Sequence, residues 1–232
     1  MKAIILAGGL GSRLRDAVKD LPKPMAPVGG KPFLVYLLLH LKRWGTTDVV
    51  LSIGYKKDVI KSYFGDGSLF GIDISYSEEN EPLGTGGALK QSLSKNDDSH
   101  FIVMNGDSFF NVPFADLIRF HAGNPGLITM GLAFVKDRSR YGGVEINDDD
   151  GRINSFQKDG LETAGLINSG VYIVDRNIAK YIPDGLVSFE ENVLPLLKND
   201  NLLYGKVFDA FFLDIGIPKD YLWINEHPEY LR

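Results

Sequence analysis

The chain has 232 residues, 44% of them hydrophobic, and a formal net charge of -5, which suits one large α/β domain and argues against a nucleic-acid backbone or an anionic membrane surface as partner. It has no cysteine, which excludes disulfides, zinc thiolates and a cysteine nucleophile and fits a reducing compartment. No apolar run approaches membrane-spanning length and the start lacks the basic and apolar regions of a secretory signal, so a soluble, cytoplasmic protein is expected.

Residues 2–6 form a short apolar run that predicts a buried strand, followed by the glycine-rich turn Ala7-Gly8-Gly9-Leu10-Gly11-Ser12-Arg13-Leu14. Glycines after a first strand let backbone N–H groups approach a phosphate without Cβ interference. The dinucleotide fingerprint fails, because Leu14 stands where its last glycine belongs, and no P-loop spacing surrounds Gly30-Lys31. Helical segments at 32–44, 57–64 and 86–93 alternate with strand-like runs at 48–53, 72–77 and 101–105, which predicts a parallel sheet with helices on both faces. Pro32 opens the first helix and Gly45 follows it. Its interior, Phe33 to Leu39, is apolar nearly all round, so the sheet should cover one side and another element or a second subunit the other. That leaves a homo-oligomer open.

Beyond Asp107 the runs at 127–135, 143–146, 153–157 and 167–174 are joined by polar turns and predict mixed or antiparallel sheet. The turn Asp148-Asp149-Asp150-Gly151 reads as a solvated hairpin, since Ile146 and Gln157 occupy the first and last ligand positions of a calcium loop. Ser188-Phe189-Glu190-Glu191 has the capping-box pattern, and a last helix follows Pro218. No linker or repeat divides the chain, and the histidines at 40, 100, 121 and 227 have no partner motif.

Asp107 and Asp214 each end an apolar strand-like run, and ligands of open α/β sheets bind at the carboxyl ends of strands. Magnesium takes one or two carboxylates completed by phosphate oxygens and water. With Arg13 and Lys23 in the first loops, two such carboxylates suggest a metal-held nucleoside triphosphate. Lys23 lies between Pro22 and Pro24, which restrict the backbone on both sides and aim the side chain.

The stretch Leu6 to Leu14, with Leu21-Pro22-Lys23-Pro24-Met25, resembles the signature of the sugar-1-phosphate nucleotidyltransferases, which join a sugar phosphate to a nucleotide and release pyrophosphate. Glu81 to Ala88 resembles the family's base-recognition loop, Asn105-Gly106-Asp107 its first metal site, and Asp214 to Pro218 its second. Tyr141 to Glu145 and Asn168 to Tyr172 resemble its sugar-facing segments. The resemblance implies an α/β, Rossmann-like (GT-A-like) nucleotidyltransferase fold, a mostly parallel central sheet flanked by helices with a smaller mixed or antiparallel region. It implies one domain over 1–232, roughly 1–110 holding the nucleotide and 111–232 the sugar phosphate.

The resemblance assigns the nucleotide to Leu6, Ala7, Gly8, Gly9, Gly11, Ser12, Arg13, Lys23, Pro82, Gly84, Thr85, Gly87, Asn105 and Asp107. It assigns the sugar phosphate to Tyr141, Gly142, Gly143, Gln157, Lys158, Asn168 and Asp214. Arg13, Lys23, Asp107 and Asp214 would be catalytic, the two aspartates holding Mg²⁺. Within the family, residues 20–27, 31–34 and 82–89 look closest to the guanylyltransferases of heptose 1-phosphate, which implies GTP and a heptose 1-phosphate as substrates. A mannose 1-phosphate substrate, or UTP, CTP or dTTP as donor, is the alternative; a silent regulatory paralogue should lack some of the four catalytic residues. The family commonly has Phe-x-Glu-Lys where this chain has Phe156-Gln157-Lys158-Asp159. In ungapped register Lys158 takes the glutamate position, and with a one-residue shift Gln157 and Lys158 replace Glu-Lys. With Arg232 last, no acyltransferase or β-helix extension is expected.

Overall fold

The structure, a computed structural model, describes residues 1–9, 21–157 and 162–231. In chain order the strands are β1 (Lys2–Leu6), β2 (Pro27–Val28), β3 (Lys31–Pro32), β4 (Asp48–Ile53), β5 (Asp73–Glu78), β6 (His100–Asn105) and β7 (Ser108–Phe110). They continue with β8 (Ile128–Val135), β9 (Val144–Ile146), β10 (Ile153–Phe156), β11 (Gly165–Asp175), β12 (Leu203–Phe208) and β13 (Phe212–Asp214). The helices are α1 (Phe33–Arg43), α2 (Lys57–Phe64), α3 (Gly84–Ser94), α4 (Phe114–Ala122), α5 (Leu194–Asn199) and α6 (Pro218–Glu226).

Seven strands form one sheet in the order β12-β8-β11-β6-β1-β4-β5. All its pairings are parallel except those of β11, which runs against β6 and β8. Apolar side chains leave the central strands on both faces. Ala3 and Ile5 of β1 join the core under α1, while Ile4 joins the opposite core with Leu89 and Leu93 of α3. Burial on both sides is what a parallel sheet requires, and each isoleucine buried this way stabilises the fold by about 2 kcal/mol.

The expected mixed block is only partly separate. β8 and β11 enter the main sheet, and only β9 and β10 pair as a ribbon of their own. The physical reason is burial: six consecutive residues of β8, Ile128 to Ala133, are all buried, so the strand needs cover on both faces. α1 is covered within the chain: His40 packs against the rings of Phe109 and Phe114, and the Tyr36 hydroxyl donates to the Val28 carbonyl at 2.9 Å. Ser188 caps its turn by accepting from the Glu191 N–H at 3.1 Å, but the return bond to its own N–H comes from Asn192 at 2.9 Å. The turn is wide, with the Leu194 N–H reaching the Phe189 carbonyl, so the reciprocal partner falls one residue later than in a capping box.

Strand register gathers the site. Leu6 stands opposite both Asn105 and Ser52, and Ile53 opposite Glu78, so the C-terminal ends of β1, β4, β5 and β6 line one edge. Among the described residues no helix is long and apolar enough to cross a membrane.

Candidate active site

Asp107 leaves β6 just after Asn105, and Asp214 ends β13. They meet because β7 and β13 pair antiparallel, with Asp214 opposite Ser108, and because the Ile215 N–H donates to the Asp107 carbonyl at 3.0 Å. Lys23 fills the gap. Its Nζ lies 2.6 Å from Asp107 Oδ2 and 3.7 Å from Asp214 Oδ1 with its side chain 15% exposed. Pro22 and Pro24 set the short 3-10 turn that delivers it. Gly216 leaves room beside it, since a Cβ there would displace the Lys23 ammonium. Burial, then the charge of Asp107, raises the Asp214 carboxyl above its usual range, while Lys23 and the Gly216 N–H, 2.6 Å from Oδ1, act the other way.

These residues suit a divalent cation. Two carboxylates already converge on one positive charge, and the buried Asn105 Oδ1 beside them has no hydrogen-bond partner. Among the described residues no third His, Cys, Asp or Glu joins them, which matches an ion completed by phosphate oxygens and water.

On the other side of β1, Ala7 donates to the Ser52 carbonyl at 2.8 Å and the Gly8 carbonyl accepts from Tyr55 N–H at 3.3 Å. A Cβ on Gly8 would stand 2.2 Å from Glu79 Oε1, whereas a Cβ on Gly9 would meet nothing within 4 Å. Gly11, Ser12 and Arg13 lie outside the described residues. Glu79, just past β5, is half-buried; its Oε2 accepts from the Leu83 N–H at 3.0 Å, and burial raises its carboxyl against that bond. Sequence reasoning missed Glu79. The signal was available, because it is a carboxylate at a strand's C-terminal end like Asp107.

The glycines of the loop opening α3 have a structural reason of their own. A Cβ on Gly84, at φ +69°, would stand 2.4 Å from the Val187 carbonyl oxygen, and one on Gly87 2.5 Å from that of Gly185. Gly86 N–H donates to Val187 O at 2.8 Å, so the loop is laid against residues 185–187, with Pro82 exposed beside it. Thr85 reaches Glu190 instead, donating to Oε2 at 2.8 Å.

Of the expected sugar-facing residues, Tyr141 lies near the two aspartates. Tyr141 stands edge-on to Phe212, 5.7 Å between centroids, and burial followed by the nearby Asp214 pushes its phenol up. Gly142 is half-buried after it, and a Cβ on Gly143 would meet Arg138 and Gln157. The Gln157 amide accepts from Arg138 Nη1 at 2.8 Å and donates to Glu145. Asn168 donates to the Tyr172 hydroxyl at 2.6 Å and accepts from Gly170 N–H at 3.0 Å. Lys158 and Asp159 lie outside the described residues.

Residues 2–229 match the Nucleotidyl transferase family. The chain is 42% identical over 222 residues to the D-glycero-alpha-D-manno-heptose 1-phosphate guanylyltransferase of Aneurinibacillus thermoaerophilus, covering 95% of each. It is 42% identical over 226 residues to the enzyme of the same name from Campylobacter jejuni subsp. jejuni, covering 95% of this chain and 97% of that one. The crystal structure of HddC from Yersinia pseudotuberculosis complexed with GMP-PN superposes with a TM-score of 0.85 at 36% identity, covering 97% of this chain and 98% of that one. With its mostly parallel sheet and the paired aspartates at the sheet's edge, the chain belongs to the nucleotidyl transferase family.

Proposed function

We propose that this enzyme transfers a guanylyl group from GTP to D-glycero-α-D-manno-heptose 1-phosphate, giving GDP-heptose and pyrophosphate for surface glycan synthesis. The observation that carries the chemistry is the convergence of Asp107, Asp214 and Lys23 at the carboxyl edge of the sheet. The choice of GTP and heptose is supported by full-length relatives bearing that name. A phosphate oxygen of the sugar 1-phosphate attacks the α-phosphorus of GTP in line; the new P–O bond forms as the bond to the β-phosphate oxygen breaks, and pyrophosphate leaves with the electron pair.

No covalent enzyme intermediate is needed, so the protein contributes positioning and charge neutralisation. Asp107 and Asp214 would hold Mg²⁺, which when bound neutralises charge on the α-phosphate and the sugar phosphate. Lys23 neutralises the α-phosphate region, and Arg13 serves the departing pyrophosphate. Backbone N–H groups of the Gly8-Gly9 turn take the phosphates and nucleoside, and Asn105 orients the group held by Asp107. Tyr141, Gly142, Gly143 and Asn168 line the sugar side.

Base choice is assigned to Glu79. Guanine presents two adjacent donors, N1–H and N2–H₂, which a carboxylate accepts together, whereas uracil and thymine present one donor between two acceptors. The chain acts as one domain in this reading, the nucleotide held mainly by 1–110 and the sugar phosphate by 111–232, because one continuous sheet joins the two halves. A cysteine-free chain suits a cytoplasmic setting.

The test is pyrophosphate release from GTP, dTTP, UTP and CTP against heptose, mannose and glucose 1-phosphates. GTP with the heptose phosphate should give the highest kcat/KM. A pyrimidine nucleotide used equally well would overturn the guanylyl assignment, and equal use of mannose 1-phosphate would overturn the heptose assignment.

A further inference from the structure

A polar cluster meets at the Tyr172 hydroxyl, on the face of the sheet that carries α3. Asn168 Nδ2 donates to this hydroxyl at 2.6 Å, and the fully buried ring stands edge-on to Phe189, 5.3 Å between centroids. The Glu190 carboxylate is close enough that, after burial, it is the next largest influence raising the phenol. Glu190 rides the wide turn after Ser188 and accepts from Thr85 Oγ1 at 2.8 Å through Oε2, while Thr85 Oγ1 accepts from the Phe189 N–H at 2.8 Å. Among the described residues no hydrogen bond reaches Glu190 Oε1, and the residue is half-buried. Oε1 is not closed off from solvent, so a donor on an incoming ligand can reach it.

The acceptors of the expected sugar-facing residues and of the aspartate pair are already committed. Gln157 is held between Arg138 and Glu145, and the second oxygen of Glu145 accepts from Ser155 at 2.6 Å. Asn168 Oδ1 is taken by Gly170 N–H, and the carboxylates of Asp107 and Asp214 face Lys23. Resting on the guanylyltransferase reading, we infer that Glu190 Oε1 accepts a hydrogen bond from a ring hydroxyl of the sugar 1-phosphate and so sets sugar specificity. The Thr85 bond fixes the carboxylate's orientation and ties the sugar contact to the glycine-rich loop that opens α3.

Glu190→Gln isolates this role, because a glutamine oxygen still accepts from Thr85 while the charge is lost. The expected result is a rise of about ten-fold or more in KM for the sugar 1-phosphate, with KM for GTP within about two-fold and an unchanged melting temperature. Titration calorimetry with GDP and with GDP-mannose, a manno-configured nucleotide sugar, reads the same contact without turnover. The Glu190→Gln protein should keep wild-type affinity for GDP and lose much of the extra affinity for GDP-mannose. Sugar KM and GDP-mannose affinity unchanged in both Glu190→Gln and Glu190→Ala would overturn the inference, as would equal losses for GTP and sugar, which would mean that Glu190 acts through the loop alone. A wild-type enzyme that binds neither GDP nor GDP-mannose and turns over no sugar 1-phosphate sinks the guanylyltransferase reading itself.

Discussion

Asp214 carries a conflict between stability and chemistry at the scale of one residue. Its carboxyl is raised in the fold by burial and by Asp107, so at neutral pH the folded state holds a charge it disfavours. Removing that charge should leave the ligand-free protein as stable as before or raise its melting point by about 2 °C, on the order of 1 kcal/mol. Turnover of Asp214→Asn at ordinary Mg²⁺ should nonetheless fall at least about 100-fold, because the paired carboxylates are what a divalent ion needs. Calorimetry and pyrophosphate release on the same sample check both halves, and a fall of several degrees or near-normal turnover contradicts the assignment. Glu79 makes a separate prediction. Glu79→Gln should cut kcat/KM for GTP about ten-fold or more while changing that for UTP little, since only guanine presents paired donors to the carboxylate. Equal losses for all bases would remove Glu79 from base recognition.

Among the elements, the glycine-rich loops behave unequally. Gly84 has φ +69° and the Val187 carbonyl where its Cβ would go, while Gly9 has open space. Gly84→Ala should therefore destabilise the protein by about 2 kcal/mol or more, through backbone strain and displacement of residues 185–187. Gly9→Ala should leave the melting temperature almost unchanged and reduce GTP affinity if the turn is as close to phosphate as proposed. Denaturant melts of the two variants decide this, and similar melts would mean that the α3 loop can shift to accept a side chain. The same loop shows the limit of motif reading. Its glycines look like space for a base in the sequence, yet the contacts that exclude a side chain at Gly84 and Gly87 are with a segment about a hundred residues away.

The whole molecule should be sensitive to acid. His40 and His121 are buried and both pushed down from 6.5 to about 4, in each case chiefly by burial. Arg43 adds to the effect at His40, while the backbones of Phe110 and Val112 oppose it; at His121, His100 adds and Asp175 opposes. The unfolded chain takes up these protons first, near pH 6.5, so stability is full above that value and is lost as pH falls toward 4. At pH 5 the loss should be roughly 1–2 kcal/mol for each histidine. Urea melts at pH 7 and pH 5 measure it, and His40→Phe should flatten the dependence by about half. An equal slope in that variant would mean that other groups drive the acid loss.

Sequence alone determined the elements with strong local signals. Alternating strands and helices over residues 2–105 follow from apolar period and from Pro and Gly punctuation, and β4 and α2 fall on the expected residues 48–53 and 57–64. Position at strand ends also singled out Asp107 and Asp214, and the flanking prolines singled out Lys23. Tertiary structure decided what depends on distant neighbours. β8 and β11 joined the main sheet because burial on both faces is set by what packs there, which the local run Ile128 to Ala133 cannot specify. The meeting of Asp107, Asp214 and Lys23 needed the β7–β13 register. Glu190 emerged only from its contact with Thr85 across the chain, since a lone glutamate in a sequence carries no sign of whether it faces water or a cleft, whereas Glu79 had the strand-end signal and only its place against Gly8 came from the fold.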